Sequence, residues 1–432
     1  MLIPLLFEQF MIVLVGLVDT MMLSRISESA LAAFSLVDAI NQLLVQLFVA
    51  IGAGGAIIAA QHLGNRDPAA AGKTATQTFL MVFMASVAIA LPAALLGGPI
   101  LRTLYPAVND SIRGYARQYF LMTALSFPAY GFYSSGTHML YAQGQSRLSM
   151  MTSVAMNLTK ILLNFLLILQ LRMDVVGAGM ATIISRVVGA YMVTRFLLNQ
   201  NMPIHYPRPL RPRFNAQTAR GIFRVALPSG IENVIFLTSK LFIGIIIAGY
   251  PAAMIAANAA ANTLTTYISI PANAINLVTI TVVSQCVGGG RGEEARKSTL
   301  KLQGISVAAL LVTSGLVALF INPLAGMLHL SPESFAHTRA MVLVYCLFAV
   351  FFWSPAFGIP NALRAAGDNR FVMVAASLTV VGLRLAGSVV LGNVMGLMIH
   401  GIWYAMYLDW VGRAVIFALR FRGGKWLKCR LV

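Results

Sequence analysis

The two halves of the chain are copies of one another. Displaced by 224 residues, Pro4, Glu8, Ala32, Ala33, Gln61, Gly64 and Lys73 fall on Pro228, Glu232, Ala256, Ala257, Gln285, Gly288 and Lys297 without a gap. A slip of one residue then sets Leu140, Ala142, Gly144, Arg147 and Met150 on Leu363, Ala365, Gly367, Arg370 and Met373, at an offset of 223. After one compensating insertion, Gly177, Ala181, Val187 and Ala190 meet Gly401, Ala405, Val411 and Ala414, back at 224. Whatever architecture one half adopts, the other must be able to adopt as well.

The solvent for that architecture is lipid. Of the 432 residues 58% are hydrophobic and 10% charged, against about 25% charged in a soluble domain. Twelve apolar stretches of the length needed to cross a bilayer as helix run through the chain, six per half. They span 2–24, 34–61, 74–97, 118–142, 150–171, 175–199, 222–248, 254–287, 298–320, 339–364, 371–394 and 397–420. The expected fold is an all-α integral membrane protein. An even number of helices per repeat returns the chain to the same side, so the repeats are parallel and form two lobes around a central cleft. The expected divisions are a first lobe over 1–199, an exposed cytoplasmic linker over 200–220, a second lobe over 221–420 and a basic tail over 421–432. Pro203, Pro207, Pro209 and Pro212 keep the linker from continuing a helix, and its arginines keep it out of hydrocarbon.

A net charge of +18 is compatible with a nucleic-acid partner, but its distribution argues against one. With the first helix starting inside, eighteen lysines and arginines lie in cytoplasmic segments, and six lie outside: Arg25, Arg102, Arg113, Arg117, Arg172 and Arg339. This positive-inside bias places both termini in the cytoplasm, in a multi-pass protein of the cytoplasmic membrane. The linker and the tail are expected on anionic headgroups. The first apolar stretch carries no small-residue cleavage pattern, and Met1 leaves almost no arm before Pro4. Cys286, Cys346 and Cys429 are too few and scattered for a disulfide or metal framework, and His138 and His400 stand as single histidines, so no metal is assigned.

The turns after the second and eighth helices are also duplicated, Gln61 to Asp67 beside Gln285 to Arg291. Neither follows a strand or carries the lysine and hydroxyl of a nucleotide loop, which favours a tight membrane-surface turn over phosphate binding. Uphill transport by a chain without an ATP-binding domain draws on an ion gradient or a partner.

Taken in order, these features resemble the multidrug and toxic compound extrusion (MATE) transporters, in the branch of the DinF-like proteins. The resemblance rests on Pro4, on Asp19-Thr20-Met21-Met22 in the first helix, on Leu31-Ala32-Ala33 and on the duplicated turns. It also rests on Leu227 to Glu232 and on Leu363-Arg364-Ala365-Ala366-Gly367, and it covers essentially the whole chain. It implies a secondary antiporter that exports cationic or amphipathic drugs or metabolites for inward protons or sodium ions. No cofactor beyond the coupling ion is expected, nor an enzymatic activity, and the partners are a small organic substrate and the bilayer around a monomer. A lipid-linked saccharide flippase of the same superfamily is the alternative, since Lys160, Lys240 and Arg384 would suit a pyrophosphate, though fourteen helices would fit it better than twelve.

Five of the thirteen acidic residues fall within spans: Glu8, Asp19, Asp38, Glu232 and Asp409. Each costs about 2.5–3.5 kcal/mol on insertion scales, so each should face a cavity or a partner among Lys160, Arg186, Lys240, Arg364, Arg384 and Arg413. Asp19 follows Glu8 by three helical turns, which puts both on one face of the first helix. The resemblance implies that an acidic residue at the place of Asp19 binds the coupling ion or proton; a permanently salt-bridged lock is the other reading. It further implies a cation site completed by an asparagine and an acidic residue on the fifth helix, aligned here with Lys160 and Asn164. The departure matters, because a protonated lysine offers no lone pair to sodium. Asn157, Lys160 and Asn164 form one stripe, and an Asp19–Lys160 pair that responds to protonation is expected, with proton rather than sodium coupling.

Glu8 and Glu232, as a duplicated pair, are either architecture or part of a substrate site. Arg384 or Lys240 is the expected partner of Glu232. Asp38 lies in a polar stripe with Asn41 and Gln42, and Arg413 offers Asp409 an i,i+4 partner. Tyr130 and Tyr133 with Phe127, and Trp353 with Phe351, Phe352 and Phe357, occupy matching places in the fourth and tenth helices. They either pack against lipid and helices or line a cleft for flat organic cations. Pro128, Pro271, Pro355 and Pro360 are expected to interrupt helices.

Overall fold

The computed structural model describes residues 1–24, 26–106, 108–206, 214–326, 328 and 330–432, so Arg25 and the linker residues Pro207, Arg208, Pro209, Arg211, Pro212 and Arg213 lie outside it. The described residues are helical almost throughout and include no strand. In the first half the helices are Leu2–Ser24, Glu28–Gly64, Pro68–Leu104, Asp110–Leu125 with Phe127–Ala142, Ser146–Asn164 continued by a π-helical turn Phe165–Gln170, and Asp174–Leu197. The second half runs Ala216–Ala248, Ala252–Gly288, Gly292–Leu319, Pro332–Ala366, Asn369–Val394 and Met398–Arg422. Eleven of these are continuous helices long and apolar enough to cross a membrane. The fourth crosses as two pieces that meet at Ser126, where Pro128 follows in the first turn of the second piece. Proline lacks an N–H and crowds the preceding turn, so the break falls just ahead of it.

Several helices begin earlier than their apolar stretches because their caps lie in polar sequence. Ser27 accepts from the Ala30 N–H at 3.0 Å and Asp67 from the Ala70 N–H at 2.9 Å, which starts two helices of 37 residues each. The repeat extends to backbone conformation. Gly144 and Gly367, partners at offset 223, both end their helices with positive φ, of 78° and 103°. Arg66 adopts φ 61° where its counterpart is Gly290 at 71°, so the turn survives a residue poorly suited to it. The π-helical turn Phe165–Gln170 also has a counterpart, Ser388–Val394. Of the four prolines expected to interrupt helices, Pro271 does not; it lies inside the unbroken helix Ala252–Gly288. Pro355 falls in a π-helical stretch, Ala349–Gly358, and Pro360 in the first turn after it.

The chain divides into two compact units, Met1–Gly230 and Ile231–Val432. The core of the first is rich in small residues, with Ala59, Ala71, Ala75 and Ala142 packed around Met139, Leu140 and Leu197, which lets helix backbones approach closely. The second is rich in rings: Tyr345, Trp353, Trp403, Tyr407 and Trp410 share one core. Ile3, Leu95, Leu319 and Val394 are among the most exposed side chains, as expected of surfaces solvated by lipid.

Two segments expected to be exposed pack part of their length into the protein. Met202, Ile204 and Tyr206 in the linker are buried against the first unit, and Gln143 fixes Ile204, accepting its N–H at 3.1 Å and donating to its carbonyl at 3.4 Å. Prolines and charge marked this stretch as exposed, but its alternate apolar residues give it a buried side. In the tail, Trp426 is fully buried and stacks on Phe421 with ring centroids 5.1 Å apart. Lys425, Lys428 and Arg430 remain exposed.

Candidate functional site

The first helix presents Asp19 to the fifth, and the two residues that meet it are Lys160 and Asn164. The Lys160 ammonium lies 2.5 Å from Asp19 Oδ2, and the Asn164 amide donates to Oδ1 at 2.7 Å. Lys160 and Asn164 are one turn apart, so a single helix face supplies both donors. Asp19 is 5% exposed. Both oxygens of this buried carboxylate are thus satisfied, one by a charge and one by a dipole. The Asn164 carbonyl oxygen is buried beside the pair without a hydrogen-bond partner among the described residues. Asn157, expected on the same stripe, turns instead to Ser153 Oγ at 3.3 Å.

Three turns earlier on the first helix, Glu8 is 2% exposed and has no cation within ion-pair distance among the described residues. Its partners are hydroxyls: Tyr141 donates to Oε1 at 2.7 Å, and Ser149 to Oε1 and Oε2 at 3.3 and 3.0 Å. In the second half Glu232 receives Arg364 Nη2 at 2.7 Å on both oxygens. Arg364 is the repeat counterpart of Tyr141 at offset 223. The duplication has therefore conserved the contact while changing its chemistry, from a hydroxyl to a guanidinium. This corrects the expectation that Arg384 or Lys240 pairs with Glu232, because the residue beside the helix end that closes the contact in one half also closes it in the other. Glu232→Gln strips Arg364 of its counter-charge and is expected to destabilise the protein by about 2 kcal/mol, whereas Glu8→Gln removes only neutral bonds and costs about 1 kcal/mol. Thermal unfolding of the two variants in detergent checks the order; equal losses would contradict it.

The remaining residues sort by partner. Asp38 accepts from Gln42 at 2.7 Å, as its polar stripe foretold, and Asn41 accepts from Thr123 at 3.3 Å. Asp409, fully buried, pairs with Arg413 at 2.9 Å, and Arg384 lies 3.9 Å from its other oxygen. Lys240 forms no ion pair or hydrogen bond among the described residues, and its side chain is exposed. Tyr130 is covered by an internal cation: Arg186, bonded to Ser126 Oγ at 2.6 Å, lies over its ring at 4.7 Å. Tyr133 and Trp353 are buried, each within ring distance of a neighbour, Tyr130 and Phe357. His400 is not solitary. His337 lies 2.9 Å away, an approach no spacing in the sequence announces, yet no group of three metal-competent side chains occurs among the described residues.

Comparison with known proteins agrees with this architecture. The MatE family model matches residues 4–166 and 228–390, two stretches set apart by the repeat itself. An uncharacterized transporter of Bacillus subtilis, YisQ, is 25% identical over 98% of this chain and 93% of its own. A probable multidrug resistance protein of Thermotoga maritima, NorM, is 24% identical over 98% of this chain and 91% of its own. Among solved structures, a MATE transporter in complex with MaL6 superposes with a TM-score of 0.91 at 18% identity, covering 98% of this chain and 95% of that one. With both homologous halves matched by the same family model, the chain belongs to the MATE family of multidrug and toxic compound efflux transporters.

Proposed function

We propose that the protein is a secondary antiporter of the cytoplasmic membrane that exports cationic or amphipathic compounds in exchange for inward protons, with both termini in the cytoplasm. The observation that carries this reading is the Asp19–Lys160–Asn164 cluster. A sodium ion needs oxygen ligands and a net negative site. The Lys160 ammonium stands against the carboxylate where such an ion would sit, and it supplies the positive charge itself. What remains exchangeable at Asp19 is a proton.

The charge balance then gives a direction. With Asp19 ionised the pair is neutral, and an organic cation bound nearby meets no net repulsion. Protonation of Asp19 removes the negative partner and leaves Lys160 as an uncompensated cation. In a low-dielectric setting that charge disfavours a second cation, and it weakens the link between the first and fifth helices. Proton binding from outside thus favours substrate release to the outside. Substrate return from that state is opposed by the same charge, so one site exchanges one for the other through two arrangements of the same helices.

In a bacterium lacking its own efflux pumps, cells that make the protein should accumulate less of a fluorescent organic cation than control cells, and a protonophore should erase the difference. Equal accumulation in the two strains would overturn the reading. A green fluorescent protein fused after Val432 should fluoresce, as it does when folded in the cytoplasm; a dark, full-length fusion would reverse the orientation.

A further inference from the structure

Four cations of the second-half helices, Lys240, Arg364, Arg384 and Arg413, have two carboxylates near them, Glu232 and Asp409. The close contacts account for two of the cations: Arg364 on Glu232 and Arg413 on Asp409. Arg384 has only the distant oxygen of Asp409, at 3.9 Å, and its guanidinium makes no hydrogen bond among the described residues. Lys240 has no such contact at all. A guanidinium that presents five donors and uses none is a recognition surface waiting for an acceptor.

The two spare cations are neighbours. Phe236 and Lys240 are one turn apart on the seventh helix and share a face. The Arg384 guanidinium lies over the Phe236 ring at 5.2 Å, which brings it to the helix face that carries Lys240. Arg384 itself stands in the π-helical segment Val380–Leu385, a local widening of the helix of the kind often found where a side chain is presented to a ligand. Like charges placed together at membrane depth oppose both insertion and each other. An exposed lysine at this depth faces water-lined space, because hydrocarbon excludes it.

We propose that Lys240 and Arg384 form an oxyanion subsite in the second half of the transporter, which binds the carboxylate or phosphate of an amphipathic substrate while Phe236 meets its apolar part. The subsite rests on the export reading above and narrows it: substrates that carry an anionic group beside their cationic or aromatic portion are preferred over pure cations. Arg384 supplies planar paired donors and Lys240 a mobile point charge, so together they neutralise one negative group and remove their own repulsion.

Two dyes that differ only in this group test it. Rhodamine 110 carries a free carboxylate, and rhodamine 123 is its methyl ester. Binding is followed by fluorescence polarisation with the full-length protein in nanodiscs of uncharged lipid. The wild type should bind rhodamine 110 more tightly. Lys240→Gln and Arg384→Gln should each weaken that binding about tenfold, the loss of one charge-assisted hydrogen bond, and leave rhodamine 123 within about twofold, which also reports that the variants are folded. Equal affinity of the wild type for acid and ester, or variants that leave the preference intact, would overturn the subsite and spare the export reading. Failure of the wild type to bind either dye would count against both. Phosphatidylglycerol added to the nanodiscs separates the two sources of an oxyanion: if it displaces rhodamine 110 from the wild type, the assignment to substrate falls and the subsite belongs to a lipid headgroup.

Discussion

Asp19→Asn is expected to leave a folded, inserted protein whose proton-driven export falls at least tenfold, the equivalent of losing one charge-assisted interaction of about 1.4 kcal/mol or more from the working cycle. The substitution is close to isosteric, and the asparagine carbonyl still accepts from Asn164. It removes the one thing that the cycle requires, a group at this position that binds and releases a proton. Lys160 is then a cation with no carboxylate in both arrangements, so substrate binding and proton binding no longer alternate. Export of a fluorescent cation from inverted vesicles under an imposed proton gradient measures this. Wild-type rates from well-expressed Asp19→Asn protein would reduce the Asp19–Lys160 pair to a helix clamp.

The largest effect on stability is expected at Asp409. Both Asp409 and Arg413 are buried, at 0% and 4% exposure, and the same carboxylate is the nearest negative charge to Arg384. Asp409→Asn leaves one buried guanidinium without a counter-charge and a second without its only anionic neighbour. Breaking a buried pair from one side costs about 3–5 kcal/mol, because a charge remains with nothing to balance it. Replacing both partners, Asp409→Asn with Arg413→Met, removes the uncompensated charge and should recover part of that loss. The midpoint of thermal unfolding in detergent gives the comparison. A single variant as stable as wild type would mean that water already reaches this pair.

The sequence revealed the helices and the repeat because both are one-dimensional signals: apolar length, cap residues and identity at a constant offset. It revealed the Asp409–Arg413 pair for the same reason, since i,i+4 spacing is a distance in space on a helix. Pairs between helices were harder. The partner of Glu232 is neither Arg384 nor Lys240 but Arg364, in the register of Tyr141, at the helix end where the offset slips. The repeat contained that answer, but only a known contact in one half identifies which register to read in the other. The His337–His400 approach and the burial of Ile204, Tyr206 and Trp426 depend on packing between segments far apart in sequence, which no periodicity records. Pro128 marks the break at Ser126, whereas Pro271 marks none, because a proline inside a long helix supported by its neighbours need not end it.

The functional asymmetry between the halves follows from residues that the duplication did not keep. Asp19 has Ile243 as its counterpart, and the Glu8 hydroxyls have become the Arg364 guanidinium at Glu232. The first half thus sets buried carboxyls against hydroxyl, amide and ammonium donors, and the second sets guanidinium groups against its carboxylates. A division of labour between proton exchange in one half and anion recognition in the other is the simplest use of that difference.

Proteoliposomes that contain the purified protein, with a fluorescent organic cation as substrate, give the most direct test of proton coupling. An imposed proton gradient in sodium-free buffer should drive substrate movement in wild type and not in Asp19→Asn. A sodium gradient of the same size, with the proton gradient collapsed by an ionophore, should drive none. Substrate movement that follows sodium alone would contradict the account, because it would require Lys160 to leave the Asp19 carboxylate and a metal ion to take its place.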